Sequence, residues 1–228
     1  MKNILTKFIF VIVCLISIST QDVLIRNIDS SEDNNYSNSD ESDREARLIP
    51  SRHWFCGSGR WSHLSSYFVI GGCFGAKYDF NHQCAIHDDC YDNQRGKEKC
   101  DAAFCEKNKV IASNYYLPNC YAYSKLSCIA VKTFGGDAYA SAGNSHSYYE
   151  PYVMNNDFGT TYKHIFDNCK HQNATFSDCA FIYETCLDKT WGNCGRNLKG
   201  CILETKDQRD PDTVCDAAVE KVAQQIAE

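Results

Sequence analysis

The hydrophobic and polar positions divide the chain into regions of different character. After a short start carrying Lys2 and Lys7, Phe8 to Ile18 form one apolar run. It falls well short of the roughly 20 apolar residues that span a bilayer. Small residues Ser17 and Ser19 stand where a cut after Ser19 requires them, so residues 1–19 read as a signal peptide. From Asp22 to Arg47 the pattern turns acidic, with Ser and Asn between Asp29, Glu32, Asp33, Asp40, Glu41, Asp43 and Glu45. Such a stretch has little to bury and cannot offset its ordering entropy. Residues 20–47 are therefore expected to be an acidic disordered linker or pro-segment, ending in the dibasic spacing Arg44-Glu45-Ala46-Arg47. Residues 48–228 read as a single domain, with a core over 53–110 and a cysteine-rich extension over 111–228.

Within that domain the helical period dominates. One helix is predicted from an N-cap at Asn81 to a stop before Gly96, and it places Cys84, His87, Asp88 and Tyr91 on one face. A second begins at Lys97, with Cys100, Ala103, Phe104 and Val110 at helical spacing. A turn of about four residues makes the two antiparallel neighbours and brings Cys90 within reach of Cys100. At that height His87 lies level with Asp101, an imidazole beside a carboxylate. Residues 115–165 are rich in tyrosine, read as half-buried packing or a membrane-interface patch. Cys169, Cys179, Cys186, Cys194 and Cys201 suggest a stapled helical hairpin. Asp210-Pro211 is expected to open a last helix, with Val214, Ala218, Val222 and Ile226 as its apolar stripe and Cys215 tying it down. The predicted class is mainly α and disulfide-rich.

Composition narrows the chemistry. Cys14 lies inside the signal, so removing it from the 15 cysteines leaves an even 14, a disulfide framework suited to a secreted, extracellular protein. Cys84 to Cys90 and Cys100 to Cys105 lack zinc-site spacing, so no zinc is expected. Asn35-Tyr36-Ser37 and Asn173-Ala174-Thr175 are glycosylation acceptors. The first 47 residues hold 8 of the 29 acids and 5 of the 23 bases, leaving 21 acids and 18 bases at a net of −3. That balance disfavours nucleic acid as a partner. Phe55-Cys56-Gly57-Ser58-Gly59 lets the backbone bend and turn its carbonyls inward, as a calcium site needs once a carboxylate completes it. Gly71-Gly72-Cys73-Phe74-Gly75 is a rival turn without the alternating glycines.

Cys84, His87, Asp88, Cys90 and Tyr91, the loop Phe55-Cys56-Gly57-Ser58-Gly59, and Cys100-Asp101 together resemble the secreted phospholipase A2 family, closest to its nematode-type branch. The family reads Cys-Cys-x-x-His-Asp-x-Cys-Tyr on its active-site helix, aromatic-Cys-Gly-x-Gly in its calcium loop, and Cys-Asp on its second helix. The likeness spans residues 53 to 110. Gln83 replaces the first cysteine of the doublet and Lys107 replaces its family partner, so one disulfide is absent as a unit. The resemblance implies a phospholipase A2-like fold and a Cys56–Cys84 pairing. It implies catalytic roles for His87 and Asp101, and a Ca2+ ion on the Asp88 carboxylate and the carbonyls of Phe55, Gly57 and Gly59. The implied reaction is calcium-dependent hydrolysis of the sn-2 ester of a glycerophospholipid, at a membrane surface or micelle, by a monomer. No Gly-x-Ser-x-Gly elbow occurs, which sets a serine hydrolase aside. The alternative from another class is an inactive phospholipase A2-like protein that binds lipid or a receptor.

Overall fold

The computed structural model describes residues 53–57, 66, 70, 73–145, 151–190, 192–208 and 211–226. The expected signal peptide, the acidic linker, the Asn35 acceptor, Gly59, the Gly71-Gly72 turn and His146 lie outside them. Among the described residues every regular element is helical, and seven disulfides tie the helices together. No helix among them is long and apolar enough to cross a membrane.

A 3-10 turn at Phe74–Ala76 leads into α1 (Lys77–Asp92). The helix begins earlier than an Asn81 cap would allow. Asn81 sits inside it, fully buried, where its amide serves other backbone. Gln94 takes a left-handed conformation and Gly96 a φ of 96°, which turns the chain into α2 (Lys97–Tyr115). The stripe expected on α2 is displaced. Val110 is 46% exposed, and the buried line runs Cys100, Asp101, Phe104, Asn108 and Ala112. Two polar residues stand in that line, so hydrophobicity alone points to the wrong face.

Part of the tyrosine-rich region forms α3 (Pro118–Ser145), a helix about 42 Å long by its rise per residue, while Tyr148 and Tyr149 lie outside the described residues. It packs mainly on α2 and also reaches α1. Its inward face carries one large side chain, Tyr123, packed edge-on against Phe80, among small or polar residues such as Cys120, Ser124 and Gly135, while Ile129 and Phe134 face out. A helix buried through small residues leaves little apolar periodicity to read. Cys73–Cys120 and Cys105–Cys128 fasten α3 to the residues ahead of it.

The remaining helices are α4 (Gly159–Asn168), α5 (Asn173–Asp188), α6 (Cys194–Glu204) and α7 (Thr213–Gln225). They enclose a second apolar cluster around Tyr162, Ile165, Phe176, Leu198, Ile202, Val219 and Val222. Cys179–Cys201 and Cys186–Cys194 staple α5 to α6, as a stapled hairpin requires, whereas Cys169 pairs with Cys215. The last helix starts later than expected. Asp212, not Asp210, is its cap, accepting from the backbone of Val214 and Cys215. Val214 is 60% exposed, so the stripe is carried by Cys215, Ala218, Val219, Val222 and Ile226.

α5 packs on α1 and is joined to it by polar contacts. Asp89 of α1 accepts from the backbone of Ala174 and Thr175 and from the Thr175 hydroxyl, completing the first turn of α5. In return Asp178 of α5 bonds Asn81 and His82 of α1. The Asn173-Ala174-Thr175 acceptor is folded into this junction, with Thr175 and the Asn173 side-chain oxygen buried.

Candidate active site

Cys90–Cys100 locks the end of α1 to the start of α2. One turn back from Cys90, His87 Nε2 lies 3.0 Å from Asp101 Oδ1. His87 is 7% exposed and Asp101 2%. The imidazole is wedged between Tyr91, with centroids 4.1 Å apart, and Phe104 at 4.8 Å. Tyr91 donates its hydroxyl to the same Oδ1 at 2.6 Å, and Lys97 Nζ donates to Oδ2 at 2.6 Å. Burial works against charge on Asp101, but the donors from His87, Lys97 and Tyr91 outweigh it and hold the carboxyl at about 2. An ionised Asp101 only accepts, so His87 Nε2 carries the shared hydrogen. The lone pair of the neutral ring then stands on Nδ1. Burial and the bond to Asp101 push the Tyr91 phenol far above its usual range, so it remains a donor.

The loop donors approach α1 from its other end. Cys56–Cys84 ties the loop one turn before His87. Phe55 N–H donates to Asn81 Oδ1 at 2.8 Å, and Asn81 Nδ2 donates to the His53 carbonyl and to Asp178 Oδ1, each at 2.8 Å. His53 stacks on Phe181 at 4.4 Å. The extension therefore shapes the backbone that carries the Phe55 carbonyl. Gly57 adopts a φ of 112°, a region costly for any residue with a Cβ. Asp88 is half-buried on the helix that carries His87, while Asp89 is committed to the α5 N-terminus. The donor set of Asp88 with the carbonyls of Phe55 and Gly57 is all hard oxygen, the chemistry calcium requires. Gly59 lies outside the described residues.

Among the described residues one grouping has soft-metal character, His82 with Cys179 and Cys201. Its two sulfurs are bonded to each other and are not thiolate ligands.

Sequence reading put Tyr91 on the His87 face without a role and did not single out Lys97. The Lys97–Asp101 spacing of four on one helix is the signal that finds it. Nothing local marks the roles that Asn81 and Asp178 take here, which depend on helices that meet only in three dimensions.

No protein-family model matches the chain, and no solved structure matches it. A phospholipase A2-like protein of Caenorhabditis elegans is 29% identical over 104 residues, which cover 44% of this chain and 58% of that protein. The match thus takes in little more than half of the relative's length. It supports kinship with phospholipase A2-like proteins, in keeping with the helical, disulfide-rich architecture.

Proposed function

We propose that the protein is a secreted, calcium-dependent phospholipase A2 that cleaves the sn-2 ester of glycerophospholipids to a fatty acid and a lysophospholipid. The observation that carries this reading is the buried His87–Asp101 pair, with Nε2 directed to a carboxylate that stays ionised. Such a pair is costly to bury and has no packing advantage over apolar residues.

His87 Nδ1 takes the proton of a water molecule as that water attacks the ester carbonyl. Asp101 stabilises the imidazolium that develops and keeps the ring in the tautomer that accepts at Nδ1. Tyr91 and Lys97 hold Asp101, and the Phe104 and Tyr91 rings limit how the imidazole turns. The Asp88 carboxylate and the carbonyls of Phe55, Gly57 and Gly59 would hold calcium, and the ion would supply a Lewis acid for the ester carbonyl. The nucleophile is water, so no activated serine or cysteine is needed. The substrate is presented at the surface of a membrane or micelle.

The test is fatty-acid release from phosphatidylcholine vesicles in calcium or in EGTA. Wild type is expected to release fatty acid in calcium only, His87→Gln to release none with its fold intact, and Asp88→Asn to lose calcium binding. Equal background rates for wild type and His87→Gln in calcium overturn the enzyme reading. In that case vesicle binding by both proteins identifies a phospholipase A2-like binding protein.

A further inference from the structure

Asp101 has two carboxylate oxygens, and only one meets the imidazole. Oδ1 accepts from His87 and Tyr91, and Oδ2 accepts from Lys97. Lys97 is no ordinary surface ion pair, because its side chain is only 19% exposed. The same ammonium donates to the carbonyls of Val131 at 3.1 Å and Lys132 at 3.3 Å, both in α3. An ammonium has three hydrogens, and here three acceptors surround it. α3 comes this close because residue 135 is glycine. A Cβ there would lie 2.4 Å from the Tyr91 hydroxyl and 3.5 Å from Lys97 Cε.

We propose that Lys97 is a positioning residue of the His87–Asp101 pair, a tether from the α3 backbone that fixes the rotation of the Asp101 carboxylate. This deepens, and rests on, the hydrolytic reading above. The terminal torsion of an aspartate is broad and roughly two-fold, so a carboxylate held at one oxygen alone turns easily. Held at both, Asp101 keeps Oδ1 aligned with His87 while the imidazole gains and loses its charge. The tether also explains why a 28-residue helix outside the motif-bearing segment packs against this end of the helix pair. Its backbone supplies the fixed end.

The experiment compares Lys97→Met, which keeps the side-chain volume, with Lys97→Ala, which leaves room for a small amine. Lys97→Met is expected to lower kcat about 10- to 100-fold, the scale of an ångström of misplacement, with KM within about twofold. Ethylammonium chloride is expected to restore part of kcat to Lys97→Ala, where sodium chloride at equal ionic strength does not. A purely structural role predicts neither the amine rescue nor the kcat-only loss. Lys97→Met retaining kcat within about twofold, or no ethylammonium rescue of a well-folded Lys97→Ala, overturns the proposal. A second readout is independent of turnover, namely the ring N–H resonance of His87 in 15N-labelled protein without calcium. The shared Nε2–H signal is expected to shift and broaden in Lys97→Met. If wild type hydrolyses nothing, the hydrolytic reading fails, and an unchanged resonance then overturns the tether as well.

Discussion

Replacing Asp89 tests how the extension is fastened to the helix that carries His87. Asp89 is 5% exposed and accepts from Ala174 N–H at 3.2 Å, Thr175 N–H at 2.8 Å and the Thr175 hydroxyl. Asp89→Ala leaves those three donors buried and unpaired. Each such orphan costs about 1–3 kcal/mol in isolation, and water reaching the donors together with the removal of a charge that burial disfavours offsets part of the sum, so a net cost of about 2–4 kcal/mol is expected. Asp89→Asn keeps one acceptor oxygen, turns an amide donor towards the other partners and removes a charge that burial disfavours, so at pH 8 it should cost less than Asp89→Ala. Burial pushes the Asp89 carboxyl up to about 7, against the opposing hydrogen bonds from Thr175 and Ala174. An unfolded Asp89 releases its proton near its ordinary 3.8. Between about pH 4 and pH 7 the folded state therefore binds more protons than the unfolded one, and stability falls as pH rises through that window. At about 1.4 kcal/mol per unit, wild type should gain about 2–3 kcal/mol from this group on moving from pH 8 to pH 5. Guanidinium unfolding with the disulfides intact, at both pH values, measures it. Burial also raises Asp178, so only the difference between wild type and Asp89→Asn reports on Asp89. An identical pH increment in the two proteins refutes the reasoning, and so does an Asp89→Ala that unfolds no more easily than wild type.

Asp101→Asn keeps the shape of the side chain but removes the charge that His87, Tyr91 and Lys97 address. Fatty-acid release is expected to fall by roughly 100-fold or more, read in the vesicle assay. The Asp101 carboxyl is depressed to about 2, so its contribution to stability is present above about pH 4 and is lost as pH falls towards 2. Acid titration followed by circular dichroism should show that loss in wild type and not in Asp101→Asn. Gly135→Ala places a methyl 2.4 Å from the Tyr91 hydroxyl and should destabilise by about 1–3 kcal/mol while weakening Tyr91's hold on Asp101. Its neighbour Gly136 has nothing within 4 Å, and Gly136→Ala should be neutral or stabilise by up to about 1 kcal/mol. Thermal unfolding of the pair separates crowding from helix propensity.

Much of the site's local order is legible along the chain. The spacing of His87, Cys90, Cys100 and Asp101 on two helices joined by a short turn is enough to bring the imidazole and the carboxylate level. Covalent connectivity and the helical rise limit the alternatives there, so the reading needs no distant contact. Asp88 and Asp89 show where such reading stops. Both are acids on one helix, and only the position of α5 reveals that Asp89 is taken by Thr175 and Ala174. Asn81 looks like a helix cap in sequence because asparagine favours that place. In the fold it is an interior residue, since its amide is needed by Phe55, His53 and Asp178 at once.

Period, cysteine count and one short connection are enough to read the helical class, the presence of a disulfide framework and the residues that face one another across the α1–α2 turn. Pairings such as Cys73–Cys120 and Cys169–Cys215, by contrast, join segments far apart in the chain. What surrounds those facing residues comes from contacts between distant segments. Apart from Tyr123, α3 buries mainly small or polar residues and gives a weak hydrophobic signal, yet its carbonyls hold Lys97 against Asp101. α5 lies some 90 residues further along the chain, yet Asp178 orders Asn81 and, through it, the Phe55 backbone. These are long-range polar contacts between segments with no pattern of their own, and a hydrogen bond between distant residues leaves no period in the chain.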